Sequence, residues 1–135
     1  MTTYVDTSVL IDLLEANSEH HAWSLTQIEK ARVSGPVIVS DAVYSEFSIA
    51  LDTEEHADEA LNQFSFVRCG YSNQVLFRAG KAYLRYRQSK GTKTNVLPDF
   101  FIGALADTER APLLTRDPQK VRAYFPTVEL ITPQK

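Results

Sequence analysis

Short apolar runs alternate along this chain with longer stretches of helical periodicity. Thr2 to Val5 is a strand candidate. Asp6-Thr7-Ser8 behind it are helix-capping residue types, and Val9, Leu10, Leu13 and Leu14 form an apolar stripe at helical spacing. Glu19 to Val33 predicts a second helix carrying Trp23, Leu25 and Ile28, broken by Gly35-Pro36. Val37-Ile38-Val39 is a compact β-branched run, as expected of a buried parallel strand. Ser40 is placed to cap a helix with Ala42, Val43, Phe47, Ile49, Ala50 and Leu51. Another helix is expected from about Glu54 to Gln63. Phe64 to Arg68 alternates like a short strand, and Asn73 to Ser89 predicts a long helix with Val75, Leu76, Ala79, Ala82, Tyr83 and Tyr86 on one face. Lys90 to Val96 is polar and turn-prone. Pro98-Asp99 opens an apolar helix running from Phe100 to about Thr108, and Pro112 to Thr115 reads as a buried strand. Asp117-Pro118 starts a further helix with proline at the tolerated first position, and Val128 to Ile131 closes the chain as a strand.

Short apolar strands separated by helices imply an α/β sandwich with a mostly parallel sheet, in which ligands bind beyond the carboxyl ends of the strands. The 135 residues show no repeat or linker and fit one domain, residues 1–135. Hydrophobic residues are 44 % and charged residues 23 %, an ordinary globular balance. One cysteine, Cys69, excludes an intrachain disulfide and a thiolate zinc site, and suits a reducing cytoplasm. The N-terminal MTTYVDTSVLIDLLE has neither a basic segment nor a small-residue cleavage site, and no apolar run approaches the roughly 20 residues of a membrane span. The net charge of −3 argues against a globally basic nucleic-acid binder, so any positive surface must be local.

Four acids stand out by position. Asp6 directly follows the first strand, and Asp117 follows the Leu113–Thr115 strand by two residues. If these strands are parallel neighbours, both acids lie on one rim. Asp99 starts an unusually apolar helix, and Glu46 is embedded in the apolar AVYSEFSIAL, about one and a half turns beyond Val37–Val39. Asp6, Asp99 and Asp117 are each equally read as helix caps or first-turn acids, and Glu46 as half of a salt bridge. Together, several carboxylates at one sheet end raise each other's pKa unless a cation lies between them, and Mg²⁺ or Mn²⁺ prefers such oxygen ligands. His20, His21 and His56 lack ligand spacing and read as solvated, as does Asp12. Asp41 reads as a first-turn helix acid. Walker, dinucleotide and nucleophile-elbow patterns are absent. Ser8 stands where a dehalogenase-like phosphatase needs a second Asp, and no acidic pair precedes an interior-strand acceptor as in a receiver domain.

The segments YVDTSVLIDLL, VIVSDAVYSEFSIAL, VLPDFFIGALA and PLLTRDPQKVRAYFP resemble, in order and spacing, the four acidic motifs of the PIN domain, and more narrowly those of VapC toxins of toxin–antitoxin pairs. The resemblance spans essentially the whole chain. It implies a three-layer α/β/α sandwich and Mg²⁺- or Mn²⁺-dependent hydrolysis of RNA phosphodiester bonds. Asp6 and Asp99 would be metal ligands, Asp117 would complete the metal site, and Glu46 would bind directly or through water. Thr7 and Thr115 match polar positions beside the acids, where a hydroxyl bonds a carboxylate or a substrate phosphate. The implied partners are RNA, a VapB-like antitoxin whose tail occupies the acidic groove, and a second copy of the toxin. Phe100 and Phe101 depart from the small residues usual after the third acid.

Local positive charge is offered by Arg78, Lys81, Arg85, Arg87, Lys90 and Lys93. Periodicity favours Tyr83 and Tyr86 as core residues rather than base-stacking platforms, which leaves the Lys90–Lys93 turn as the expected RNA contact. The competing reading is a catalytically silent PIN-like module that only binds a partner.

Overall fold

Strands β1 (Thr3–Val5), β2 (Val37–Ser40), β3 (Val67–Cys69), β4 (Leu113–Leu114) and β5 (Leu130–Ile131) pair in the order β3-β2-β1-β4-β5, every pairing parallel. The computed structural model of the chain describes residues 1–89 and 97–133, so Lys90 and Lys93 lie outside the described residues. Helices α1 (Thr7–Leu14), α2 (His21–Ser34), α3 (Asp41–Ser48), α4 (Glu54–Gln63), α5 (Asn73–Gln88), α6 (Leu97–Glu109) and α7 (Gln119–Tyr124) flank the sheet. Val5, Val37, Val39, Leu113 and Leu114 are buried, as in a parallel sheet covered on both faces. The expected α/β sandwich is therefore the observed fold.

Differences from expectation are local. Helix α3 ends at Ser48, and Ile49 beyond it is 87 % exposed instead of joining the apolar face. Leu76 is 40 % exposed; Val75, Ala79 and Ala82 form the buried stripe of α5. Helix α4 unwinds through Ser65, whose φ of 58° makes a left-handed turn, and this delays the third strand to Val67. Pro118 sits one residue before α7 rather than at its first position. Among the described residues no helix is long and apolar enough to cross a membrane.

Tyr83 and Tyr86 pack inward. Phe100 of α6 lies 5.7 Å from each ring, centroid to centroid, and 5.3 Å from Tyr124. Phe101 packs on Tyr71 at 5.5 Å, so both phenylalanines after Asp99 serve packing. On the same helix, Gly103 admits the buried Phe125 ring, for a Cβ at Gly103 would stand 2.6 Å from Phe125 Cδ2. Gly103→Val is expected to overpack this contact and lower the unfolding free energy by about 1–3 kcal/mol, read from urea denaturation. An unchanged midpoint would mean that the ring swings aside freely.

Candidate metal centre

Only Asp6 separates β1 from α1. Its backbone has helix-capping geometry, yet its side chain makes no capping bond. Its N–H donates to the Leu114 carbonyl at 2.9 Å, extending the β1–β4 ladder by one rung. Its Oδ2 accepts from Thr115 Oγ1 at 2.8 Å and from Ser8 Oγ at 3.0 Å. The capping explanation thus fails for Asp6; the carboxylate is held across two strand ends. Burial pushes its pKa up and the nearby Asp117 charge adds to the rise, while the Thr115 and Ser8 hydroxyls and the Thr7 amide oppose it.

Glu46, on α3, has no salt bridge among the described residues. Its Oε1 accepts from Thr7 Oγ1 at 2.9 Å. Burial raises its pKa, the Thr7 bond opposes that, and the charge of Asp6 adds to it. Asp99, in the first turn of α6, is pushed up to about 6, by burial first and then by the charges of Asp6, Asp117 and Glu46, with Lys120 pulling the other way. Four carboxylates from four parts of the chain therefore lie within electrostatic reach of one another. Asp117 is the exposed member; its N–H donates to Thr115 Oγ1 at 2.9 Å. Both Thr7 and Thr115 direct their hydroxyl protons at carboxylates. Lys90 and Lys93 lie outside the described residues.

Asp12 corrects an expectation. It is 2 % exposed rather than solvated, because α2 packs across the short helix that bears it. Ser24 Oγ donates to it at 2.7 Å and Ser18 Oγ at 3.1 Å, and Arg116 pairs with it through Nε. His21 is drawn in as well, its Nδ1 2.8 Å from the Asp12 carbonyl. Arg116 stands between Thr115 and Asp117, and its own N–H donates to Ser8 Oγ at 3.2 Å. A buried ion pair thus anchors the loop that carries the fourth acid. Asp41 is the expected first-turn acid of α3 and pairs with Arg68 at 2.6 Å. Sequence reasoning missed Ser8, Arg116 and Lys120 as parts of the site. The spacing signal for the last two is their place in Thr115–Lys120, around the fourth acid.

Among the described residues, no three His, Cys, Asp or Glu side chains are grouped closely enough to hold an ion by themselves. The donor chemistry nonetheless fits a hard divalent ion. It is all oxygen, and such an ion takes one or two direct carboxylates and keeps several waters. A cation would also relieve the charge crowding that lifts Asp99.

The family model described as the PIN domain matches residues 3–126. No curated protein sequence matches. Among solved structures, the chain is similar to one in the VapBC2 complex of Rickettsia felis bound to a DNA fragment from its promoter, with TM-score 0.71, 17 % identity, and coverage of 99 % of this chain and 100 % of that one. It is likewise similar to a chain of VapBC-1 from nontypeable Haemophilus influenzae, with TM-score 0.70, 17 % identity and 98 % coverage of each. Mycobacterium tuberculosis VapC20, a sarcin–ricin loop cleaving toxin, matches with TM-score 0.60 at 17 % identity, over 90 % of this chain and 94 % of that one. At these identities the structural likeness speaks for the fold.

Two outcomes follow from the geometry. An acid whose pKa is raised on folding binds more protons folded than unfolded, so its contribution to stability falls as pH rises from the unfolded value through about 6. In EDTA, Asp99→Asn should therefore melt above the parent at pH 7.5, and the gap should close as pH falls toward 4; a gap independent of pH would contradict the raised pKa of Asp99. Asp12→Ala deprives Arg116 of its partner and leaves the Ser24 hydroxyl without its acceptor, and should cost about 1–3 kcal/mol of unfolding free energy in urea titrations.

Proposed function

The chain belongs to the PIN domain family, and on that premise we propose that it is a metal-dependent endoribonuclease, the toxin of a toxin–antitoxin pair. The observation that carries the proposal is the gathering of Asp6, Glu46, Asp99 and Asp117, close enough that the charges of the other three add to burial in pushing Asp99 up to about 6. The relatives support the biological half: a sarcin–ricin loop cleaving toxin on one side, and VapBC complexes on the other. A VapB-like antitoxin is the partner inferred from them; a second copy of the chain is proposed on the resemblance of the motifs alone.

Asp6, Asp99 and Asp117 would hold Mg²⁺ or Mn²⁺, with Glu46 binding directly or through water. When bound, the ion supplies charge neutralisation at the scissile phosphate and a water of lowered pKa. The chain's own residues do the positioning. Thr115 and Ser8 fix one oxygen of Asp6, so the carboxylate presents its other oxygen in a set direction. Thr7 fixes Glu46 in the same manner, orienting it toward the attacking water. The Asp117 amide, by donating to Thr115 Oγ1, ties the fourth acid to the first through one hydroxyl. Lys120 places a positive charge facing Asp99, where an anionic substrate must approach.

With Mn²⁺ and a total RNA pool, the parent protein is expected to cleave. Asp6→Asn should reduce cleavage to background with the fold intact. Thr115→Val should retain the ligands but lose about 10–100-fold, as is typical when a group that orients a metal ligand is removed. A folded parent protein that binds divalent ions but cleaves no RNA would sink the enzymatic reading. One that binds no divalent ion, by calorimetry, would leave a silent partner-binding module.

A further inference from the structure

Any RNA whose scissile phosphate enters the acidic rim must continue past it, and the rim itself repels phosphate. Immediately beyond Asp117 the surface changes sign. Between the turn leading into α2 and helix α7 opens a cleft of about 940 Å³, lined by His20, Arg116, Gln119 and Arg122, with Glu19 as its carboxylate. Glu19 lies 3.9 Å from His20. Arg122 is exposed in the last turn of α7, and among the described residues no carboxylate lies within ion-pair distance of it. Arg116 is fixed in place rather than mobile. Buried Asp12 holds its Nε–H, its backbone N–H is bonded to Ser8, and its side chain remains 28 % exposed at the cleft.

Resting on the ribonuclease reading above, we propose that this cleft takes the backbone phosphate of an RNA nucleotide flanking the cut, with Arg122 and the Asp12-anchored Arg116 as its phosphate contacts. A planar guanidinium matches a phosphate bidentately, and an anchored one loses less rotamer freedom when it does so. The lining is mixed: Gln119 and Thr132 stand beside the arginines, while Pro118, Leu130 and Pro133 give an apolar wall, so the arginines are what select a phosphate. The position decides for RNA over an acidic peptide. Arg116 is chain neighbour both to Thr115, which bonds Asp6, and to Asp117, so a strand held at the rim reaches it within one step.

The test is binding of a fluorescently labelled single-stranded RNA of 12 mixed nucleotides, about the length needed to fill rim and cleft together, followed by polarisation in EDTA over a range of salt. Arg122→Gln, which alters an exposed side chain, should weaken binding about 5–10-fold at low salt and reduce the slope of log K against log salt by about 0.7, the value for one phosphate on a single strand. Arg32→Gln, a surface charge on α2, should change neither. If the parent protein binds and cleaves RNA while Arg122→Gln alters neither affinity nor slope, the cleft proposal fails and the ribonuclease reading stands. If the parent neither binds nor cleaves RNA, the ribonuclease reading fails and takes this one with it. An oligoglutamate peptide that binds as tightly and loses as much on Arg122→Gln would show plain charge attraction and overturn the assignment to RNA.

Discussion

The hydrogen bond from the Asp6 amide to the Leu114 carbonyl is the last rung of the β1–β4 ladder, and the geometry of the rim hangs on it. Val5 pairs with Leu114, so the next residue on each strand, Asp6 and Thr115, stand side by side. That adjacency puts a hydroxyl 2.8 Å from a carboxylate oxygen although 109 residues separate the two in sequence. The register is fixed from below. Val5, Leu113 and Leu114 have no exposed surface, and a slip by one residue would turn them from one face to the other. Core burial thus sets the position of polar atoms that contribute little to the core.

Three of the four acids of the rim are tied to a neighbour, Asp117 through its backbone. Ser8 and Thr115 hold Asp6, Thr7 holds Glu46, and the amide of Asp117 bonds Thr115. At Asp6 and Glu46 the hydroxyl donors oppose the rise in pKa but burial and a neighbouring carboxylate outweigh them, and at Asp99 burial and three neighbouring charges are opposed only by Lys120. The loop bearing Asp117 has a second anchor in the Asp12–Arg116 pair, whose Asp12 is buried so that removing Arg116 strands its charge. A rim of like charges is held together by apolar strands beneath it and an ion pair beside it.

The sheet was legible because its strands are short β-branched or leucine runs, and the two acids beyond strand ends were legible with it. Asp6 and Asp117 needed only the assumption that their strands are parallel neighbours, and they are. Glu46 was placed near the rim by its position about one and a half turns beyond the second strand, whereas the arrival of Asp99 rested on motif order, since periodicity says nothing about how α6 crosses the sheet. Asp12 was misread for a related reason. Helical spacing shows which residues share a face but not what covers that face, and α2 covers this one with Ser24. Ile49 and Leu76 erred in the opposite direction, apolar residues assigned to a face that the chain leaves uncovered. Lys120 and Arg116 were hidden by charge counting along the chain, which drew the eye to the longer basic stretch of α5.

The spacing of the acids bears on the kind of ion the rim suits. A cage of three or more close-set ligands would strip a hard ion of its water, and none is found among the described residues. A metal site with few direct ligands would leave room for retained waters and for substrate oxygens. The same openness explains why hydroxyl tethers matter here. With few direct ligands, the directions of the Asp6 and Glu46 carboxylates would be set by Ser8, Thr115 and Thr7 rather than by an ion. The orientation of the site is therefore a property of the folded chain, written into residues that flank the acids in sequence. A cation bound there, as proposed, would relieve a repulsion that the fold has already built.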